Sequence, residues 1–475
     1  MSPDGPLGAT SRTGAFELSA SSTAASIRVR ARLGYAGLVG MVVTCLLLCV
    51  SASSTNNLLP ETQRPLQNFL AGPFGLGGPN LHVGWLMAAL TAMFGCYVLV
   101  IRAADRLASR HVLMAIAALL ALVMLAPPLL STDVFSYQAY GRLWTVYGLN
   151  PYLNTPATMY AGPLFTDPMY WYLGAKWVNT PTSYGPLFTL LSGPLATLSP
   201  NEKVSLAASV LAYKAIAALA CLGTIALLWN AARLRGLNPV RAVALFGLNP
   251  LVVLYGVGGG HNDLLMLLLT TAGLYALLTH RERTSGALIA FGAAIKLTGA
   301  LMLPFALGSG VVLGASKRRR SIITGVVVAS TIVAAVGFAA FGTGQLQLLS
   351  TLRKVQQEGD WHSVPGFLNL GLGLTAFSHV MGIVLAVVFV VVFVVLVRRV
   401  WLGEMDWIDG AAWATLVMLV TASSLLPWYV AWLLPLVALC TDRRLWRYSL
   451  MLTGWMMFIT TLGYIPHIYS LTRIG

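Results

Sequence analysis

Apolar residues in this chain fall into long unbroken runs, not into the alternation of half-buried strands or the one-sided stripe of a soluble helix. Runs at about 33–53, 83–101, 112–130, 204–230, 240–257, 262–279, 320–342, 378–398, 408–425, 427–441 and 446–464 mostly approach the length that crosses about 30 Å of hydrocarbon at 1.5 Å per residue. Strands of a membrane barrel would alternate polar and apolar positions, so the spans are predicted to be helical. The stretch 285–315 is apolar throughout and centred on Pro304, which allows one long helix or two short ones.

Basic loops decide between these options through the positive-inside rule. "RAADRLASR", "RLRGLNPVR", "HRER", "SKRRR", "RRVW" and "TDRRLWR" are all expected on the cytoplasmic side. With the N-terminus inside, they sort correctly on two conditions. Residues Gly185–Pro200 must dip into the membrane and return, and 285–315 must cross twice. The expectation is an all-α polytopic membrane protein with about 13 crossings, a re-entrant segment, and one large outer loop over 131–203. Residues 1–32 form a cytoplasmic N-terminal segment, its Ser-, Ala- and Gly-rich part expected to be disordered. Residues 33–475 form a single transmembrane domain.

Composition sharpens this. The chain has 475 residues, 57% hydrophobic and 9% charged, with mean hydropathy +0.76; soluble domains carry about 25% charged residues. The net charge of +15 suggests nucleic acid at first. Its basic residues are scattered through short loops without a basic aromatic surface stretch, so the charge reads as topology and no nucleic-acid partner is expected. Cys45, Cys49, Cys96, Cys221 and Cys440 lie within apolar runs without metal or disulfide spacing.

On this topology the polar chemistry faces outward. "STDVFSYQAYGRLW" places Asp133 at the lip of a span, where it suits either a helix N-cap or a general base. Arg142 follows as a partner in sequence. Tyr137 and Tyr140 sit three residues apart, on one helical face. Further aromatics continue through the loop to Tyr184, with Asp167 among them. Such residues form an interfacial belt or a stacking surface for sugar rings. "GGGHNDLLM" puts His261, Asn262 and Asp263 at the outer start of a span, after glycines that permit close backbone approach. A helix start offers free N–H groups to a cap or to an anion such as a lipid phosphate. Lys214 and Lys296 lie inside apolar runs, where charge is costly and often functional. Lys214 is accounted for by snorkelling; Lys296, about eight residues before Pro304, is placed to reach a phosphate. "QQEGDWHSVPGF" reads as a solvated loop without a standard metal spacing. Trp428 and Tyr429 mark an outer turn suited to anchoring or to sugar stacking. No phosphate-binding loop, dinucleotide fingerprint, zinc motif or nucleophile elbow is present. An outward-facing enzyme of this kind needs a donor supplied by the membrane.

The segments "STDVFSYQAYGRLWTVYGLNPY", "YGPLFTLLSG", "GGGHNDLLM", "GAAIKLTGALMLP" and "LLPWYVAWLLP" resemble the actinobacterial polyprenol-phosphate-mannose-dependent α-(1→6)-mannosyltransferases, of the GT-C class. The resemblance implies a GT-C glycosyltransferase fold. It also implies a multi-pass plasma-membrane enzyme whose active site faces the periplasm or cell wall. The implied reaction is inverting transfer of mannose from polyprenyl phosphomannose to an α-(1→6)-mannan acceptor, in lipomannan and lipoarabinomannan core synthesis. Asp133 matches the family's general base. With a β-linked lipid phosphate donor, His261, Asn262, Lys296 and Arg142 would hold the leaving phosphate, supported by Asp263 and Asp167. Tyr137, Tyr140, Tyr184, Trp428 and Tyr429 would contact sugar. No metal or other cofactor is expected, and the partners are membrane lipids, the lipid-linked donor and the mannan. The chain has only 15 acids and no second acid adjacent to Asp133, which leaves open a GT-C enzyme for another sugar. A transporter or flippase of a polyprenyl-linked sugar is the competing class, and it predicts midplane acids in two repeated halves.

Overall fold

In a computed structural model, residues 11–52, 58–59, 81–159, 168–197, 203–310, 315–358 and 360–462 are described. Among them all regular structure is helical. Helices of nine or more residues are α1 (Ser11–Ser51), α2 (Val83–Ala103), α3 (Ser109–Leu125), α4 (Asp133–Thr145), α5 (Pro186–Thr197), α6 (Lys203–Leu234), α7 (Pro239–Gly247), α8 (Asp263–Leu278), α9 (Glu282–Ile295), α10 (Ala315–Phe341), α11 (Leu348–Glu358), α12 (Thr375–Trp401), α13 (Trp407–Thr421) and α14 (Arg443–Leu462). α1 begins inside the N-terminal segment for which disorder was expected.

Five stretches among the described residues are long and apolar enough to cross a membrane: Arg28–Ser51, Val83–Arg106, Leu206–Leu234, Ser316–Gln357 and Thr375–Trp401. The protein is therefore a helical membrane protein by length and composition. Several predicted spans are instead broken. The run 240–257 splits into α7 and a π-helical turn, Leu251–Val257, bent by 51°. Asn249 at the break accounts for the bend. Its side-chain Oδ1 accepts from Leu251 N, and its Nδ2 donates to Tyr97 Oη and Thr453 Oγ1; Pro250 then supplies no N–H to continue the ladder. The apolar stretch 285–315 breaks at Lys296, whose backbone is extended (φ −148°, ψ 125°), and not at Pro304, which sits harmlessly in the first turn of a short helix, Leu303–Gly308. The run 427–441 divides into a 3₁₀ turn, Pro427–Trp432, and the helix Leu434–Leu439. The Gly185–Pro200 stretch holds the 12-residue α5, about 18 Å long and too short to cross.

Local signals explain the boundaries that survive. Asn238 caps α7, accepting from Arg241 N, with Pro239 in the first turn. Asp406 caps α13 through Ile408 N and Asp409 N, and Arg235 beyond α6 grips the same carboxylate at 3.2 and 3.3 Å. α9 and α10 pack backbone to backbone: Gly286 lies against the Ile322 carbonyl and Gly325 against that of Arg283. Small residues at such crossings supply close contact where lipid offers no hydrophobic drive.

The predicted outer loop is mostly folded. α4 lies on α5 because Gly141, with no Cβ, leaves room for the Ser192 carbonyl and Gly193 for the Trp144 ring. Tyr140 donates to Thr180 O at 2.8 Å and Tyr152 to Tyr184 O at 3.0 Å. Gly185 N then donates to Ile295 O at 3.1 Å, which joins this layer to the break at Lys296.

Candidate active site

Three chain breaks converge on one place: the start of α4, the turn before α8, and the extended residue after α9. The glycines of "GGGHND" make the first junction. Leu129 N donates to Gly258 O at 3.1 Å, and a Cβ on Gly259 would press within 3.0 Å of the Leu129 carbonyl and the His261 ring. Gly260 turns the chain at φ +68°, a conformation that side chains rarely adopt. His261 is thereby brought against Asp133.

Asp133 is the first residue of α4, not its cap. Thr132 takes the cap position without a side-chain bond, and the Asp133 amide donates to Ser131 Oγ at 3.2 Å. The carboxylate is left for other work. Its Oδ2 lies 3.4 Å from His261 Nδ1, with the Asp133 side chain 11% exposed and the histidine fully buried. The same nitrogen stands 3.9 Å from Asp263 Oδ2. His261 stacks on Trp428, ring centres 4.0 Å apart.

Asp263 opens α8 and is a hub. Its Oδ1 accepts from Lys296 Nζ at 2.8 Å and from Trp432 Nε1 at 2.6 Å. Lys296, 18% exposed, also lies 4.5 Å from the centre of the Tyr429 ring and 5.0 Å from that of Trp432. Those two rings stack at 4.0 Å because residues three apart eclipse in a 3₁₀ turn. Asn262 joins the group through Tyr137, whose hydroxyl donates to Asn262 Oδ1 at 3.3 Å and accepts from Asn262 N at 3.4 Å.

The cluster carries unspent polar capacity. His261 Nδ1 and Nε2, Asn262 Nδ2, Asp263 Oδ2 and Trp428 Nε1 are buried without a hydrogen-bond partner. Buried polar atoms normally find partners; His261 Nδ1 and Asp263 Oδ2 have each other at 3.9 Å, and the rest lie in the same cluster. Asp133 supplies a carboxylate that can take a proton, and Lys296 keeps N–H groups beyond the one given to Asp263. Among the described residues no three His, Cys, Asp or Glu side chains come together as a metal site.

Other expected residues fall elsewhere. Arg142 stands nine positions after Asp133 on α4, half a turn round the helix, and its guanidinium lies over Tyr147 at 5.9 Å. Asp167 lies outside the described residues. Tyr137, Tyr140 and Tyr184 are buried in the core, Tyr137 meeting Tyr184 and Phe188 edge to face at 4.9 and 4.7 Å. They are walls behind the site and offer no open face to a sugar. Burial first, and then the Asp133 charge, push the Tyr137 and Tyr184 phenols well above their ordinary range. Trp428 is also buried, its ring taken by His261, while Tyr429 keeps partial exposure.

Two features were not legible in advance. Lys214 does not snorkel: it is 1% exposed and donates to Ala126 O at 2.7 Å and Pro127 O at 3.5 Å, beneath the strand of chain that leads to Asp133. Trp432 was hidden in an apolar motif, and its spacing from Tyr429 was the available signal.

Residues 33–312 match the family described as "Alpha-(1->6)-mannopyranosyltransferase, N-terminal domain", a region that contains Asp133, His261, Asp263 and Lys296. The chain belongs to this family. It is 30% identical over 369 residues to alpha-(1->6)-mannopyranosyltransferase A of Mycobacterium tuberculosis, covering 72% of this chain and 67% of that one. It is 33% identical over 192 residues to alpha-(1->6)-mannopyranosyltransferase A of Corynebacterium glutamicum, covering 40% of this chain and 36% of the relative. The B protein of the same Corynebacterium is 26% identical over 357 residues, 68% of this chain and 57% of that protein. The chain thus spans between about a third and two thirds of the length of these relatives. No solved structure matches it.

Proposed function

We propose that this member of the mannopyranosyltransferase family is a GT-C glycosyltransferase that moves mannose from polyprenyl phosphomannose to an α-(1→6)-mannan acceptor. Transfer proceeds with inversion on the outer face of the plasma membrane, in building the lipomannan and lipoarabinomannan core. The observation that carries the reading is the Asp133 carboxylate, released from capping, nearly buried, and set 3.4 Å from His261.

The chemistry balances with one base. Asp133 takes the proton of the acceptor 6-hydroxyl as its oxygen bonds to the anomeric carbon. The anomeric C–O bond to phosphate breaks on the opposite face, and its electron pair leaves with the phosphate. A phosphate leaves without a strong acid, so charge stabilisation suffices. Lys296, held by Asp263, supplies a cation. Asn262 Nδ2, buried without a partner, is a donor in the same cluster. Inversion of a β-linked donor yields the α product.

The test is reconstitution of the full chain in lipid nanodiscs with polyprenyl phosphomannose and α-(1→6)-mannobiose. The reading expects a trisaccharide whose new linkage is α-(1→6) by NMR. Absence of transfer from the lipid donor, or transfer from GDP-mannose in its place, would reject it.

A further inference from the structure

The loop 360–367, expected to be solvated, is docked. Asp360 N donates to Ser423 O at 3.2 Å, and Ser363 Oγ donates to the same carbonyl at 2.5 Å. Ser423 Oγ in turn donates to Gln356 O at 2.9 Å. Ser423 lies four residues before the Pro427–Trp432 turn, so these bonds fasten the loop to the segment that carries Trp428, Tyr429 and Trp432.

What the loop presents is polar and incompletely used. His362 Nδ1 is in hydrogen-bond contact with Asp360 Oδ1, and its ring packs on Trp361 with centres 4.2 Å apart. Asp360 fixes one nitrogen of the imidazole. The other, Nε2, is buried without a partner. The Asp360 carboxylate is also electrostatically coupled to the site. The phenol of Tyr429, at the turn outside the long apolar spans, is raised to about 12, first by burial. Lys296 opposes that rise, and Asp263, Asp133 and Asp360 add to it.

We propose that Asp360 and His362 form a saccharide subsite beside the Lys296–Tyr429 edge, in which the oriented imidazole and the carboxylate hold hydroxyls of the acceptor oligosaccharide. The chemistry is that of hexose recognition. A carboxylate oxygen and an imidazole nitrogen fixed by its neighbour bond vicinal hydroxyls, and the free part of a Trp or Tyr face covers the ring's C–H side. The subsite rests on the glycosyltransferase reading for its ligand class. It makes its own demand, that oligomannoside binding depends on residues that the transfer step does not use.

The experiment titrates α-(1→6)-mannotriose into the full chain in nanodiscs, followed by calorimetry. Wild type is expected to bind, while His362→Ala and Asp360→Asn weaken binding by at least tenfold. In turnover the same two variants raise the KM for acceptor at least tenfold and leave the KM for lipid donor unchanged. His362→Gln, which retains a polar side chain of similar reach, recovers part of the affinity. Thermal unfolding of each variant is measured in parallel, and Ser363→Ala, which removes one of the loop's two bonds to the Ser423 carbonyl with the pair intact, separates docking from recognition. Mannotriose binding by His362→Ala at wild-type affinity overturns the subsite, as does a wild type that does not bind it. Binding that depends on His362 in a chain that fails to transfer mannose would sustain the subsite and reject the proposed reaction.

Discussion

Removing Asp263 should unseat two partners at once. Its Oδ1 takes the Lys296 ammonium at 2.8 Å and the Trp432 indole at 2.6 Å, and the side chain is 2% exposed. Breaking a buried pair from one side costs about 3–5 kcal/mol, because the remaining charge loses its counter-ion. Lys296 is 18% exposed and recovers some hydration, so the lower end applies to Asp263→Ala: about 3 kcal/mol, or about a hundredfold in the unfolding equilibrium. Asp263→Asn strips the same counter-ion from Lys296 but keeps an acceptor oxygen for Trp432, so its cost is lower by one hydrogen bond, about 1 kcal/mol. Combining it with Lys296→Met removes both charges, and the double-mutant cycle should return a coupling of about 1–2 kcal/mol. The assay is SDS-driven unfolding in mixed micelles, followed by tryptophan fluorescence. An Asp263→Ala protein within about 0.5 kcal/mol of wild type, or strictly additive single changes, would refute the hub.

Lys214→Met should destabilise the protein by about 1–3 kcal/mol, since the Ala126 and Pro127 carbonyls lose their buried donor, and should slow transfer by loosening the approach to Asp133; the same unfolding assay and initial rates check both. Gly325→Leu should cost at least about 1–3 kcal/mol through overpacking, because the Arg283 carbonyl and Ala287 amide occupy the space that its side chain needs; Gly342→Ala, where nothing lies within 4 Å but φ is +54°, tests backbone strain alone. Buried Tyr137 and Tyr184 are held neutral in the fold and ionise near pH 10 when unfolded. Their contribution is thus intact below about pH 10 and is lost as pH rises above it. Tyr137→Phe should flatten that alkaline limb in a pH series of unfolding midpoints.

Helical membrane architecture was legible because unbroken apolar runs have only one way to satisfy their backbone in lipid. Where those runs break was not. Hydropathy averages over a window, whereas the bend at Asn249 depends on one amide meeting Tyr97 and Thr453, and the extended residue at the second break is Lys296, whose side chain is tied to Asp263. The glycine run before His261 announced a close approach, and the structure supplies its object, the Leu129 carbonyl. Helical spacing put Tyr137 and Tyr140 on one face correctly. It did not say that α5 and α6 would cover that face, so rings read as a sugar platform became core. Arg142 illustrates the converse: proximity in sequence placed it beside Asp133, while nine residues of helix turned it away.

If Asp133 is the base, its loss shows in the transfer rate of Asp133→Asn with polyprenyl phosphomannose and α-(1→6)-mannobiose. Asparagine keeps the size of the side chain and cannot accept the proton, so the rate should fall by about 10²–10⁴-fold with unfolding unchanged. Transfer by a folded Asp133→Asn protein at the wild-type rate would contradict the account.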